Sequence, residues 1–193
     1  TQAESSAASD VYKRQFWIGV NFLAVTGLKA FPILADLDAR GVRIDAYWAD
    51  DARIDESAVT QEEADNIAAT RADCGWKGLY FGGTAFKKQR PVDPKDYARA
   101  AGIAGGFMDV VTTSGIATGH SADLGKLAEF RGALPDRPIA LASGITPDNA
   151  TGYDMVDCFM VATGINFEND FYNIDPARLS QLVDVCRDMG ETS

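Results

Sequence analysis

The chain has 193 residues, 46% of them hydrophobic, and a formal net charge of −10 with a pI near 4.5. That is enough apolar chain for one sizeable core, while so acidic a balance argues against nucleic acid as a partner, because phosphate-backbone binding rests on clustered Lys and Arg. No apolar run approaches the roughly 20 residues of a membrane-spanning helix, and Cys74, Cys158 and Cys186 lie far apart without a CxxC pair, the pattern of a reducing, cytoplasmic setting with no metal cage.

Residues 1–15 lack apolar periodicity. Within them Ser5 to Gln15 resembles the in-frame translation of a sequencing-library adapter ending in a transposon end, so this stretch is set apart as a non-native tail and the fold is sought in residues 16–193. From Phe16 onward strand and helix patterns alternate. Phe16–Phe22 reads as a strand, Gly27–Arg40 as a helix, Val42–Trp48 as a strand, and Ala49–Val59 as an acidic loop. A capping box, Thr60-Gln61-Glu62-Glu63, predicts the next helix start, and that helix runs to about Asp73. Lys77–Phe81 is the third strand, Asp93-Pro94 opens the next helix, and Phe107–Thr112 is the fourth strand. The chain closes with helix Ala122–Leu134, strand Pro138–Ala142, short helix Pro147–Tyr153, strand Asp157–Ala162 and a helix opened by Asp175-Pro176. In that last helix Leu179, Leu182, Val183 and Cys186 form an expected inward stripe.

Six βα units of similar length and no linker predict a parallel sheet with crossover helices in a single α/β domain. The two C-terminal units carry the functional signal. Each apolar run ends in a small-residue turn: Ser143-Gly144-Ile145-Thr146 with Pro147 following, then Thr163-Gly164. Thr146 as N-cap and Pro147 at the first helical position would offer backbone N–H groups to an anion. Tandem turns of this kind match the phosphate site after the last two strands of a (β/α)8 barrel. A partial TIM barrel with a phosphorylated small molecule at Ser143, Gly144, Ile145, Thr146, Thr163 and Gly164 is therefore expected, ordinary tight turns being the alternative. The barrel rule that catalytic side chains sit at strand C-termini nominates Asn21, Asp45 and Lys87, with Thr113, Ser114 and Asn166 also on the ligand face. Lys87 could serve as a base, a nucleophile or an anchor, the alternative being a solvated loop lysine beside Lys88. His120 and the Asp50, Asp51, Asp55, Glu56 cluster read as solvated surface, with no metal or cofactor assigned.

The segment Thr113-Ser114-Gly115-Ile116-Ala117-Thr118-Gly119 with Asp123-Leu124, the turn Ser143 to Asn149, and Asn173 to Arg178 resemble the BtpA family of ribulose-phosphate-binding-type barrels. Gly19-Val20-Asn21 and Arg43-Ile44-Asp45 match more weakly. The resemblance implies a (β/α)8 barrel of which this chain holds strands three to eight, with two βα units preceding Phe16. It also implies a role in photosystem I biogenesis or an uncharacterised activity. Where that family carries an Asp-Val-His-Val-Lys-His run, this chain reads Gly83-Thr84-Ala85-Phe86-Lys87-Lys88, keeping the lysine without either histidine. Two functions follow as expectations. One is an isomerase, lyase or aldolase-type enzyme on a phosphorylated metabolite. The other is a non-catalytic assembly or regulatory barrel that keeps the phosphate cradle. A homo-oligomer is left open for the full-length form. With two strands lacking, an open, curved six-stranded sheet in chain order is expected, its first and last strands unpaired.

Overall fold

The computed structural model describes residues 16–87, 89–115 and 120–191; the tail, Lys88 and the Ile116–Gly119 part of the Gly-rich loop lie outside them. The elements in order are β1 (Gly19–Asn21), α1 (Gly27–Ala39), β2 (Ala46–Ala49), α2 (Glu62–Cys74), β3 (Leu79–Gly83), α3 (Tyr97–Ala104), β4 (Val110–Ser114), α4 (Leu124–Ala133), β5 (Ile139–Ala142), β6 (Cys158–Met160) and α5 (Pro176–Glu191). The six strands form one parallel sheet in the order β1-β2-β3-β4-β5-β6. It is a curled part-barrel with the helices between strands, as the alternation predicts.

Side chains along each strand alternate between two cores. On the concave face Ala46, Phe81, Val110 and Ala140 meet Trp48, Cys158 and Met160. On the helix side Tyr47 and Tyr80 stack at 5.8 Å with Phe31 of α1 edge-on to both, at 5.5 and 5.1 Å. The Tyr47 hydroxyl donates to Val25 O, so the phenol is buried with its polar end satisfied.

The N-terminal edge of the sheet is held by a device used three times. Asp45 Oδ2 accepts from Ile18 N (3.0 Å), Asp109 Oδ2 from Tyr80 N (2.7 Å) and Asp157 Oδ2 from Ile139 N (2.8 Å). Each carboxylate precedes or begins one strand and binds the neighbouring strand's start. Each is also paired with an arginine: Arg43, Arg71 and Arg131 respectively. A charge-assisted bond at the strand start fixes register where the ladder begins.

Four local expectations are corrected. The capping box does not form: Gln61 occupies the N-cap of α2, and its amide instead bonds Asp55 N and Asp55 O, drawing the acidic loop onto the helix start. After β5 there is no α-helix at Pro147 but a 3-10 turn at Ala150–Tyr153. In α5 only Leu182 of the expected stripe is buried, with Val185 packed beside it. Leu179 and Val183 are over a third exposed, and Cys186 is exposed too, so the helix is rotated from the expected face. The strands also begin one to four residues later than expected; Asp45 and Asp157, expected within strands, stand just before β2 and β6 and bond the neighbouring strand's start. Among the described residues β1 pairs only with β2 and β6 only with β5, as expected of an open sheet.

Candidate functional site

A cavity of about 500 Å³ opens between the inner faces of β1, β2, β3, β5 and β6. Seven of the expected site residues line it: Asn21, Lys87, Ser143, Gly144, Ile145, Thr163 and Gly164. The topology explains their convergence. Both small-residue turns follow strands that lie side by side, and Asn21 ends β1 on the far rim. Thr146, Asp45, Thr113, Ser114 and Asn166 are not part of the cavity wall.

The two turns touch. A Cβ on Gly164 would lie 1.7 Å from Ile145 O, so glycine is required there by the approach of one backbone to the other. Gly144 has φ of +74°, follows Ser143 at +83°, and a Cβ on it would meet His120 O at 2.2 Å. Asn149 then locks the first turn: its Oδ1 accepts from Thr146 N (2.8 Å) and its Nδ2 donates to Gly144 O (2.8 Å). This bonding replaces the helix start expected at Thr146-Pro147. The Thr146 N–H is thereby committed to Asn149, and no α-helix starts at this turn.

Lys87 is placed by its backbone. Its N–H donates to Ser114 Oγ (2.9 Å), which in turn donates to Gly115 O. Beneath this pair lies Lys126 of α4, 7% exposed, whose ammonium donates to Ala85 O (2.5 Å) and Ser114 O (2.9 Å) and sits over the Tyr97 and Phe130 rings. Burial pushes its pKa down to about 8. Lys126 thus ties the C-terminal ends of β3 and β4 together and supports the Lys87 loop. Sequence reading missed it, because a lysine at the start of an amphipathic helix looks solvated. Thr113 Oγ1 reaches Ala85 O at 3.5 Å from the buried outer side. Asn166 bonds Phe171 O and shapes the loop after β6.

Asp45 stands at the opposite, N-terminal end of β2 as the staple to Ile18, which removes it from the ligand face. The acidic residue at the C-terminal end of β2 is Asp50, whose Oδ1 accepts from Asn21 Nδ2 (3.2 Å), while the same amide donates to Trp48 O. Gln89 joins this rim by donating to Asp50 O, Asp51 Oδ1 and Gly83 O. Farther out, Arg90 makes a two-pronged contact with buried Glu56 (2.8 and 2.5 Å) and reaches Asp55. That hydrogen bonding holds the Glu56 carboxyl below the usual range. Arg90 thus anchors the acidic loop together with the Gln61–Asp55 bonds and Arg53, which pairs with Asp51 and with Glu63 of α2. Trp48 lines the cavity, whereas Tyr47 faces the helices.

No protein-family signature and no curated protein sequence matches the chain. Solved structures do. A phosphoribosyl anthranilate isomerase from Thermus thermophilus superposes with a TM-score of 0.51 at 12% identity, over 82% of this chain and 68% of that one. A dihydrodipicolinate synthase superposes with a TM-score of 0.53 at 11% identity, over 89% of this chain and 62% of that one. At such identities the likeness establishes the fold alone: this chain is built as part of a TIM-type barrel, spanning roughly two thirds of each of these enzymes' lengths.

Proposed function

We propose that the cavity binds a phosphorylated small metabolite at the C-terminal face of a BtpA-like barrel. The observation that carries this is the contact between the Gly144–Ile145 and Thr163–Gly164 turns at a cavity that Lys87 also lines. Backbone N–H groups of the turns and the Lys87 ammonium supply the anion's partners. The fold likeness to an isomerase and a synthase supports an enzyme of isomerase, lyase or aldolase type, with Lys87 as base, Schiff-base nucleophile or anchor and Asn21 orienting the substrate. The free thiols support a cytoplasmic protein. Among the described residues no helix is long and apolar enough to cross a membrane.

A second reading is favoured by one observation. Among the described residues lining the cavity, Lys87 and Cys158 are the titratable side chains, without an imidazole or carboxylate on the wall. A barrel so equipped could bind its ligand without turning it over, as an assembly or regulatory factor. Thermal-shift screening against inorganic phosphate and phosphorylated metabolites tests the shared claim. Stabilisation that Lys87→Met abolishes, with the unliganded melt unchanged, is expected; no stabilisation by any phosphate compound refutes it. Turnover of a stabilising compound, lost in Lys87→Met, then separates the enzyme from the binding protein.

A further inference from the structure

We infer that the ligand of this cavity is an amphipathic phosphate ester with a flat apolar body, rather than a polyhydroxylated sugar phosphate. The inference rests on the phosphate reading above and names the rest of the molecule. The polar side chains of the wall are few: Ser143 and Thr163 at the two turns, Lys87 after β3 and Asn21 at the end of β1. The rest of the wall is apolar: Trp17, Trp48 and Phe81 on the β1–β3 side face Cys158 and Met160 on the β6 side. Trp17 packs edge-on to Phe81 at 6.0 Å and Trp48 edge-on to Phe86 at 5.7 Å, so the aromatic surfaces are held in place before any ligand arrives.

The polar group that could reach into this half is already engaged. Both N–H bonds of the Asn21 amide are committed, one to Trp48 O and one to Asp50 Oδ1. Its Oδ1 and the Trp48 indole N–H lie covered by neighbouring atoms and have no partner. A sugar carrying several hydroxyls would have to leave most of them unpaired against Phe81, Met160 and the indoles, and each buried hydroxyl without a partner costs affinity. A flat apolar ring meets the opposite situation. It covers aromatic and aliphatic wall at no such loss and stacks against indole. About 500 Å³ accommodates a two-ring body as well as a phosphate.

The test is calorimetric titration of the full chain with 1-naphthyl phosphate, ribose 5-phosphate, inorganic phosphate and 1-naphthol. The naphthyl ester is expected to bind at least about tenfold more tightly than the other three, since ring burial and phosphate contacts add. In Trp48→Leu that advantage over ribose 5-phosphate should shrink several-fold while inorganic phosphate binding is kept. Ribose 5-phosphate binding as tightly as the naphthyl ester overturns the apolar body and leaves the phosphate reading standing. Naphthol binding as tightly as its phosphate ester overturns the phosphate reading instead. Absence of binding by all four overturns both.

Discussion

Replacing Asp45 by alanine separates a structural staple from a catalytic carboxylate. Asp45 Oδ2 accepts from Ile18 N at 3.0 Å and its Oδ1 from Arg43 Nε at 2.5 Å, and its side chain is only 8% exposed. Arg43 is 78% exposed, so its pairing contributes little, about 0–1 kcal/mol. The bond from a backbone N–H to a charged, buried carboxylate contributes more, about 1.5–3 kcal/mol. Asp45→Ala should therefore cost about 2 kcal/mol, and at about 2–4 °C per kcal/mol for a chain of this size the Tm falls by about 4–8 °C. Asp45→Asn keeps an acceptor for Ile18 and loses less. Thermal melts of the two variants, followed by phosphate titration of each at a temperature where it is folded, provide the assay. Both variants should bind the ligand like the parent. A variant that melts like the parent yet loses ligand binding would show that Asp45 acts at the site, and the staple assignment would fall.

Gly164→Ala places a Cβ 1.7 Å from Ile145 O, and this backbone overlap should cost upwards of about 2 kcal/mol. By contrast Gly132→Ala, in helix α4 with open space around it, should stabilise by about 0.5–1 kcal/mol; equal melts for the two would contradict the contact between the turns. Glu56, held below its ordinary pKa chiefly by the Arg90 hydrogen bond, contributes stability that is complete above about pH 4.3 and lost as pH falls through the folded value. The Tm of Glu56→Gln should therefore fall less steeply than the parent's on acidification, and parallel curves would refute it. Lys126 shows the reverse sign: its folded pKa of about 8 lies below that of the unfolded chain, so the parent should gain stability between about pH 8 and 10 relative to Lys126→Met, with a flat difference as the contrary result.

The alternation of period-2 and helical patterns made the sheet and its strand order legible, because each βα unit buries its own apolar stripe and parallel crossovers admit few topologies. The convergence of Asn21, Lys87 and the two turns was legible for the same reason: position along a barrel strand sets which end a residue occupies. What the sequence did not disclose was side-chain bonding that competes with a local rule. Thr60 heads a good capping box, yet Gln61 finds two backbone partners at Asp55. Thr146-Pro147 reads as a helix start, yet Asn149 closes the turn on itself. Asp45 reads as a strand-end carboxylate, but β2 starts four residues later than expected, at Ala46, and puts it at the other end of the sheet. The same shift hid Asp50 on the rim, Gln89 reaches it from the loop after β3, and burial of Lys126 has no signature in its neighbours' polarity.

An amide-resolved NMR titration of the chain with inorganic phosphate tests the proposed site most directly. Saturable shifts should concentrate at Gly144, Ile145, Thr163 and Gly164, with Lys87 following, and Ile18 and Tyr80 at the stapled end should stay still. Saturable shifts at the stapled end or on the outer helices, with the two turns silent, would contradict a phosphate cradle between them.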